Sequence, residues 1–209
     1  MQWDAVLSLR ILNKFHYQVL EGILDQFTTF IKGQIENLRS NNSRNALALF
    51  CEIFCNNAEK CVEGRKDNDT WALFLDVNLA PVFAKTVADK KFLSLAAQKG
   101  VLAVAEVSPV PQSSSVFIKN SNSKNIALAE LGVRCLEILI KAATPWLLLE
   151  PHHEDQCLAI VHCLTEVMNQ KQMKKVKFAK PAMQHIQKVV GGADQLKALC
   201  LKAYNFVSA

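Results

Sequence analysis

Cysteine and histidine are the residue types in this sequence whose spacing could do chemistry. Cys51, Cys55 and Cys61 fall within eleven residues, and His153 and Cys157 stand four apart, the offset that puts two side chains on one face of a helix. Thiolate and imidazole are zinc ligands, but a structural zinc site takes four of them, usually as two close pairs. The cysteine group lacks a second pair at ligand spacing, so no metal is expected. Nucleophilic catalysis would ask for a glycine-framed turn to expose the nucleophile, and phosphate chemistry for a glycine-rich cradle. The sequence has neither, and the expectation is a chain that is not an enzyme and carries no cofactor. Seven cysteines is an odd number, scattered over positions that read as helical, behind a start without a charged-then-apolar leader. Free thiols in a reducing compartment, the cytoplasm, are expected.

Charge is the second chemical resource. The 209 residues hold 24 Lys and Arg against 19 Asp and Glu, a formal net charge of +5. The excess is uneven: Lys171, Lys174, Lys175, Lys177, Lys180 and Lys188 fall in eighteen residues without an acid. Such a run either meets an acidic partner or is a solvated lysine face. Phe178 is the sole aromatic among these lysines, which provides poorly for base stacking, so nucleic acid is not expected as a partner. No apolar run reaches the roughly eighteen residues of a membrane span. The longest, Leu136 to Leu149, is interrupted by Glu137, Lys141 and the Thr144-Pro145 break, so no membrane is expected either.

The elements that must position these groups read as helices throughout. Asn37 to Phe54 breaks one amphipathic helix and starts another: Val19 to Leu38 has Leu20, Ile23, Leu24, Phe27, Phe30, Ile31, Ile35 and Leu38 on one face, and Ala46, Leu47, Leu49, Phe50, Ile53 and Phe54 form the matching stripe after the turn. Ser40 and Ser43 are capping residues, and the second helix is expected to begin at Ser43. A short helix spans Trp3 to Asn13, expected to be the remainder of a longer element, and Val62 to Thr70 reads as a loop. Helices follow over Trp71 to Val87, with Pro81 kinking it or opening a later start, and over Phe92 to Val107, ended by Pro109 and Pro111. Ser113 to Ile118 is expected to make at most two turns. Asn125 to Ala142 comes next, with Gly132 permitting close packing. After Pro145 and Pro151, helices cover Glu154 to Met168, Lys174 to Val190 bent at Pro181, and Ala193 to Val207 beyond the Gly191-Gly192 stop.

Helix, short polar turn, helix, longer connection is the recurring pattern, with short turns near Ser40, Lys90, Asn122 and Gln170. Stacked hairpins of this kind form an all-α solenoid with corresponding turns along one edge, taken here as a single domain over 1–209.

Trp3 at the head of the first helix, the NLRSNNSRNALALFCEIF stretch, and Lys91-Phe92-Leu93 followed by Lys99 resemble a TOG domain, in the manner of the crescerin (TOG array regulator of axonemal microtubules) and CLASP families. That family has a Trp near its first turn, Leu-Arg-Ser-x-x-Ser-Arg at its second and Lys-Phe-Ile-Arg at its third. Arg39, Ser40, Ser43 and Arg44 match the second, and Phe92 and Lys99 the third; beyond about residue 105 the likeness is one of architecture. The resemblance implies a flat paddle of HEAT-like hairpins whose turns bind the acidic surface of the tubulin heterodimer or microtubule. Trp3, Arg39, Ser40, Asn41, Lys90 and Lys91 would make the contacts, joined by Lys124 at the fourth turn and Lys174 and Lys177 at the fifth. It implies a monomeric module of a larger cytoskeletal protein, in the cytoplasm, cilium or centrosome. Leu93-Ser94-Leu95 replaces the family's Ile-Arg-Glu and the fourth turn lacks its Val-Arg, which leaves open a TOG-like scaffold that holds another protein without binding tubulin. Residue by residue, Trp3 reads as contact or core anchor and Arg39 as contact or helix cap. Arg44 reads as a tie between repeats through a carboxylate or carbonyl, and Trp71 and Trp146 as core.

Overall fold

The computed structural model describes residues 2–56, 69–107, 111–143, 153–170 and 172–208, and every element among them is an α-helix. They divide between two compact units, Met1–Ser108 and Pro109–Ala209. Cys61, Pro109, Trp146, Pro145, Pro151, Lys171, most of the Val62 to Thr70 loop and the side chain of Trp3 lie outside the described residues.

The first unit holds α1 (Gln2–Phe15), α2 (Tyr17–Ile35), α3 (Ser40–Asn56), α4 (Asp69–Lys85) and α5 (Lys91–Val107). In α2 the buried positions Leu20, Leu24, Thr28, Ile31 and Ile35 keep three- and four-residue spacing, so one continuous stripe is removed from water. The whole stripe expected for α3, from Ala46 to Phe54, is buried as well. Like stacks on like: α2 lies along α4, while α3 lies between α1 and α5. Three contacts joining α2 or its following turn to the next hairpin have one chain separation. Glu21 accepts from the Trp71 indole at 3.1 Å, the Thr28 carbonyl accepts from Asn78 at 3.3 Å, and Ser40 accepts from Lys90, each pair fifty residues apart. At the centre Phe50 packs against Phe54 at 5.1 Å and stacks on Phe74 at 5.8 Å, and Trp71 stacks on Tyr17 at 6.0 Å. Trp71 is therefore core, as its apolar context implied. A bidentate Arg10–Glu52 ion pair ties α1 to α3.

The second unit holds α6 (Pro111–Ser121), α7 (Ile126–Ala143), α8 (Glu154–Asn169), α9 (Met173–Val190) and α10 (Ala193–Ser208). Here α7 packs on α6 and α9, and α8 on α6 and α10. Asn125 caps α7, its side-chain oxygen accepting from the amides of Ala127 at 3.0 Å and Leu128 at 3.3 Å. Gly132 is where α7 meets α6 backbone to backbone: a Cβ there would stand 2.6 Å from the Ser121 nitrogen and 2.9 Å from the Phe117 carbonyl oxygen. Gly191 and Gly192, at φ +98° and +140°, end α9, and the Gly192 amide donates back to the Gln187 carbonyl at 3.0 Å.

Several boundaries differ from the sequence reading, most of all around α2, α3 and α6. α2 stops at Ile35, because Asn37 folds its side chain onto the Arg39 amide at 2.8 Å, and Leu38 leaves the apolar stripe to stand 98% exposed. α3 starts at Ser40 rather than Ser43, with the Arg39 carbonyl accepting its first amides. Ser43 is buried and donates its hydroxyl to the Ile35 carbonyl at 2.8 Å, satisfying the end of the preceding helix. Pro111 opens α6 instead of closing α5; proline suits a first helical turn because its fixed φ is helical and no amide is missed there. That helix is eleven residues long, hidden from a hydrophobic pattern because small polar Ser113, Ser114 and Ser121 are buried with Phe117. Pro81 and Pro181 lie inside unbroken helices, so Pro81 marks no later start.

Ser43→Ala should lower the stability of the first unit by about 1–3 kcal/mol, since the Ile35 carbonyl loses its buried partner. A denaturant midpoint unchanged from the parent chain would refute that role for the hydroxyl.

Candidate binding edge

Two turns of the first unit meet side by side. The α2–α3 turn presents exposed Arg39 and Asn41 and half-buried Ser40 and Asn42, which together line a shallow, open depression. The α4–α5 turn presents exposed Lys90 and Lys91, and the Lys90 ammonium donates to the Ser40 hydroxyl, fixing one turn against the other. Just inside, the Arg44 guanidinium lies over the Phe92 ring, 5.9 Å from its centroid. Arg44 thus does tie successive hairpins together, but through an aromatic face rather than a carboxylate or carbonyl. Arg39, Arg44, Lys90 and Lys91 make this edge basic, with exposed Asp89 and Glu36 as its nearest acids in sequence. Lys99, matched to the third-turn motif, is exposed two turns into α5.

Leu38, 98% exposed, and Phe92, 44% exposed, put apolar surface among these cations. Sequence reasoning missed Leu38 as a surface residue. The signal was available in Asn37, whose short side chain can accept a backbone amide two residues on and so end a helix before its stripe does.

In the second unit the Asn122 and Gln170 turns also meet, both lining one cleft together with Ile118, His162, Cys163 and Glu166. Lys124 and Lys174 are exposed. Lys177 is not a free charge: its ammonium pairs with Glu130 of α7 at 2.6 Å and lies 4.6 Å from the centroid of the Phe178 ring. Lys175 is buried and donates to the Gln170 side chain at 2.8 Å. The lysine run therefore divides: one lysine packs inward, one pairs with an acid, and Lys174, Lys180 and Lys188 face water. The reason is helical phase, because a run read along the sequence goes around the helix.

Four buried thiols are held in the protonated form. Burial pushes Cys51 up to about 12 and Cys157 to about 11, and raises Cys135 and Cys163 as well. A thiol must ionise to attack or to bind a bare metal ion, so these four are poorly prepared for either at neutral pH. His153 precedes α8 and Cys157 is buried within it; among the described residues no three His, Cys, Asp or Glu side chains converge as a metal site.

No helix among the described residues is long and apolar enough to cross a membrane. No family model matches the sequence, and comparison with curated proteins finds no relative.

Proposed function

We propose that this chain is a tubulin-binding TOG domain, a HEAT-like α-solenoid serving as one module of a larger cytoskeletal or ciliary protein that regulates microtubule dynamics. The observation that carries the reading is the Lys90–Ser40 hydrogen bond, which joins the two turns that match the family motif into one basic edge. Clustered cations beside exposed Leu38 and Phe92 suit an acidic protein surface with apolar relief. Charge would steer the encounter, and Leu38 with Trp3 would supply the desolvated anchors. One such edge offers one heterodimer-sized contact, so sustained action on a microtubule would come from several modules in series.

The test is co-migration of the purified chain with free tubulin dimer on size exclusion at low and moderate salt. Arg39→Ala and Trp3→Ala should each weaken binding by about 1–3 kcal/mol, roughly five- to hundredfold, with helix content unchanged. Lys174→Ala should matter less, and less again as salt rises. A well-folded Trp3 and Arg39 double variant that binds tubulin as the parent does would sink this reading. So would a parent chain that binds none at any salt.

A second reading, a TOG-like scaffold for another protein, draws support from the second unit. Lys177 is committed to Glu130, so one of the two lysines expected to make the fifth-turn contacts is engaged internally.

A further inference from the structure

Cys51 and Cys55 hold two thiol sulfurs 3.6 Å apart near the end of α3. Cys55 is exposed and Cys51 is buried beside it. We propose that this pair is a chelating site for a thiophilic trivalent centre of the monosubstituted arsenical class, entered through Cys55 and closed by Cys51 while α3 stays helical.

Geometry selects the class. A disulfide would bring the sulfurs to about 2.05 Å, against the spacing that the helix imposes on residues four apart. A single bridging atom asks for much less movement. With bonds to sulfur taken at about 2.3 Å, the length of a zinc–thiolate bond, and a near-right angle between them, it spans sulfurs roughly 3.3 Å apart, close to the separation in place. A linear two-coordinate ion would need roughly twice the bond length, and a tetrahedral zinc site two further protein ligands, which do not converge here among the described residues.

Proton bookkeeping points the same way. Burial, then the contact with Cys55, raises the Cys51 thiol to about 12, so at neutral pH a bare cation must drive its proton off. An arsenical oxide removes both protons itself. Cys55 adds first: its S–H bond breaks, an arsenic–sulfur bond forms, and the proton goes to the oxide oxygen. Cys51 then forms the second arsenic–sulfur bond, and its proton leaves with that hydroxyl as water. Arsenic stays trivalent and nothing is oxidised or reduced.

Phenylarsine oxide is the probe, with the whole chain and native mass spectrometry as the readout. One adduct is expected, at the mass of one reagent less one water, retained against excess glutathione and released by 2,3-dimercaptopropanol. Cys55→Ser, a change at an exposed position, should lower resistance to glutathione on the order of a hundredfold, because the second bond then loses its intramolecular advantage. Cys61→Ser should leave the adduct as it was. Failure of the parent chain to form the adduct overturns the proposal, as does a Cys55→Ser adduct as resistant as the parent's, or loss of the adduct in Cys61→Ser.

Discussion

Phe74→Ala should cost the first unit about 3–5 kcal/mol, the largest loss expected of any single substitution in this chain. Phe74 is fully buried, stacks on Phe50 at 5.8 Å, and meets Phe54 and Trp71 edge-on or tilted at 6.3 Å. Truncation removes the ring from an aromatic cluster contributed by three helices, and the large neighbours cannot all collapse into the space. Domains of this size are stable by about 5–15 kcal/mol, so roughly a fifth of the margin or more would go. Phe92→Ala is the control: its ring is 44% exposed and gives up chiefly its contact with Arg44, for which about 1 kcal/mol is expected. Chemical denaturation separates the two. Equal losses would mean that the cluster around Phe50 is not the centre of the unit.

Gly132→Ala should destabilise the second unit by about 3 kcal/mol, the upper end of what overpacking costs. The obstacle is backbone: the added Cβ would meet the Ser121 nitrogen at 2.6 Å and the Phe117 oxygen at 2.9 Å, and neither can rotate away as a side-chain tip would. α6 would have to lift off α7. Gly22 and Gly33, both in α2, test the sign of the effect. An added Cβ meets nothing within 4 Å at either site, so alanine there should stabilise by about 0.5–1 kcal/mol, the ordinary helix gain over glycine. A thermal melt in which all three changes move in one direction would contradict the close α6–α7 approach.

Much of this was legible in the sequence. The helix-period stripes of α2 and α3 read directly, since one face of each had to be buried, and Gly132 and the Gly191-Gly192 stop showed through their lack of a side chain. What failed shares a cause. The start of α3, the early end of α2 and the extra turns of α6 are set by which hydroxyl, amide or carbonyl takes which backbone partner, and a pattern of apolar residues carries no record of that. Ser43 looked like a cap and is a buried strut; Pro111 looked like a stop and is a start. On the candidate edge, residue types were legible and engagement was not. Lys90, Lys174 and Lys177 are alike in sequence, yet one is bonded to Ser40, one faces water and one is paired with Glu130.

The shared separation of Glu21–Trp71, Thr28–Asn78 and Ser40–Lys90 bears on how the first unit forms. Each contact closes a loop of the same length, fifty residues. The entropy of closure, about 3.5 kcal/mol beyond a constant for such a length, falls on whichever contact forms first, and the others then follow at little further cost as α2 and α4, with the turns that follow them, zip along each other. Any of the three can nucleate the pairing. Because closure grows only as the logarithm of length, ten extra residues within 57–68 would add roughly 0.2 kcal/mol to it. Kinetically, the span between α3 and α4 is nearly free to vary, whereas the phase of α4 against α2 is not.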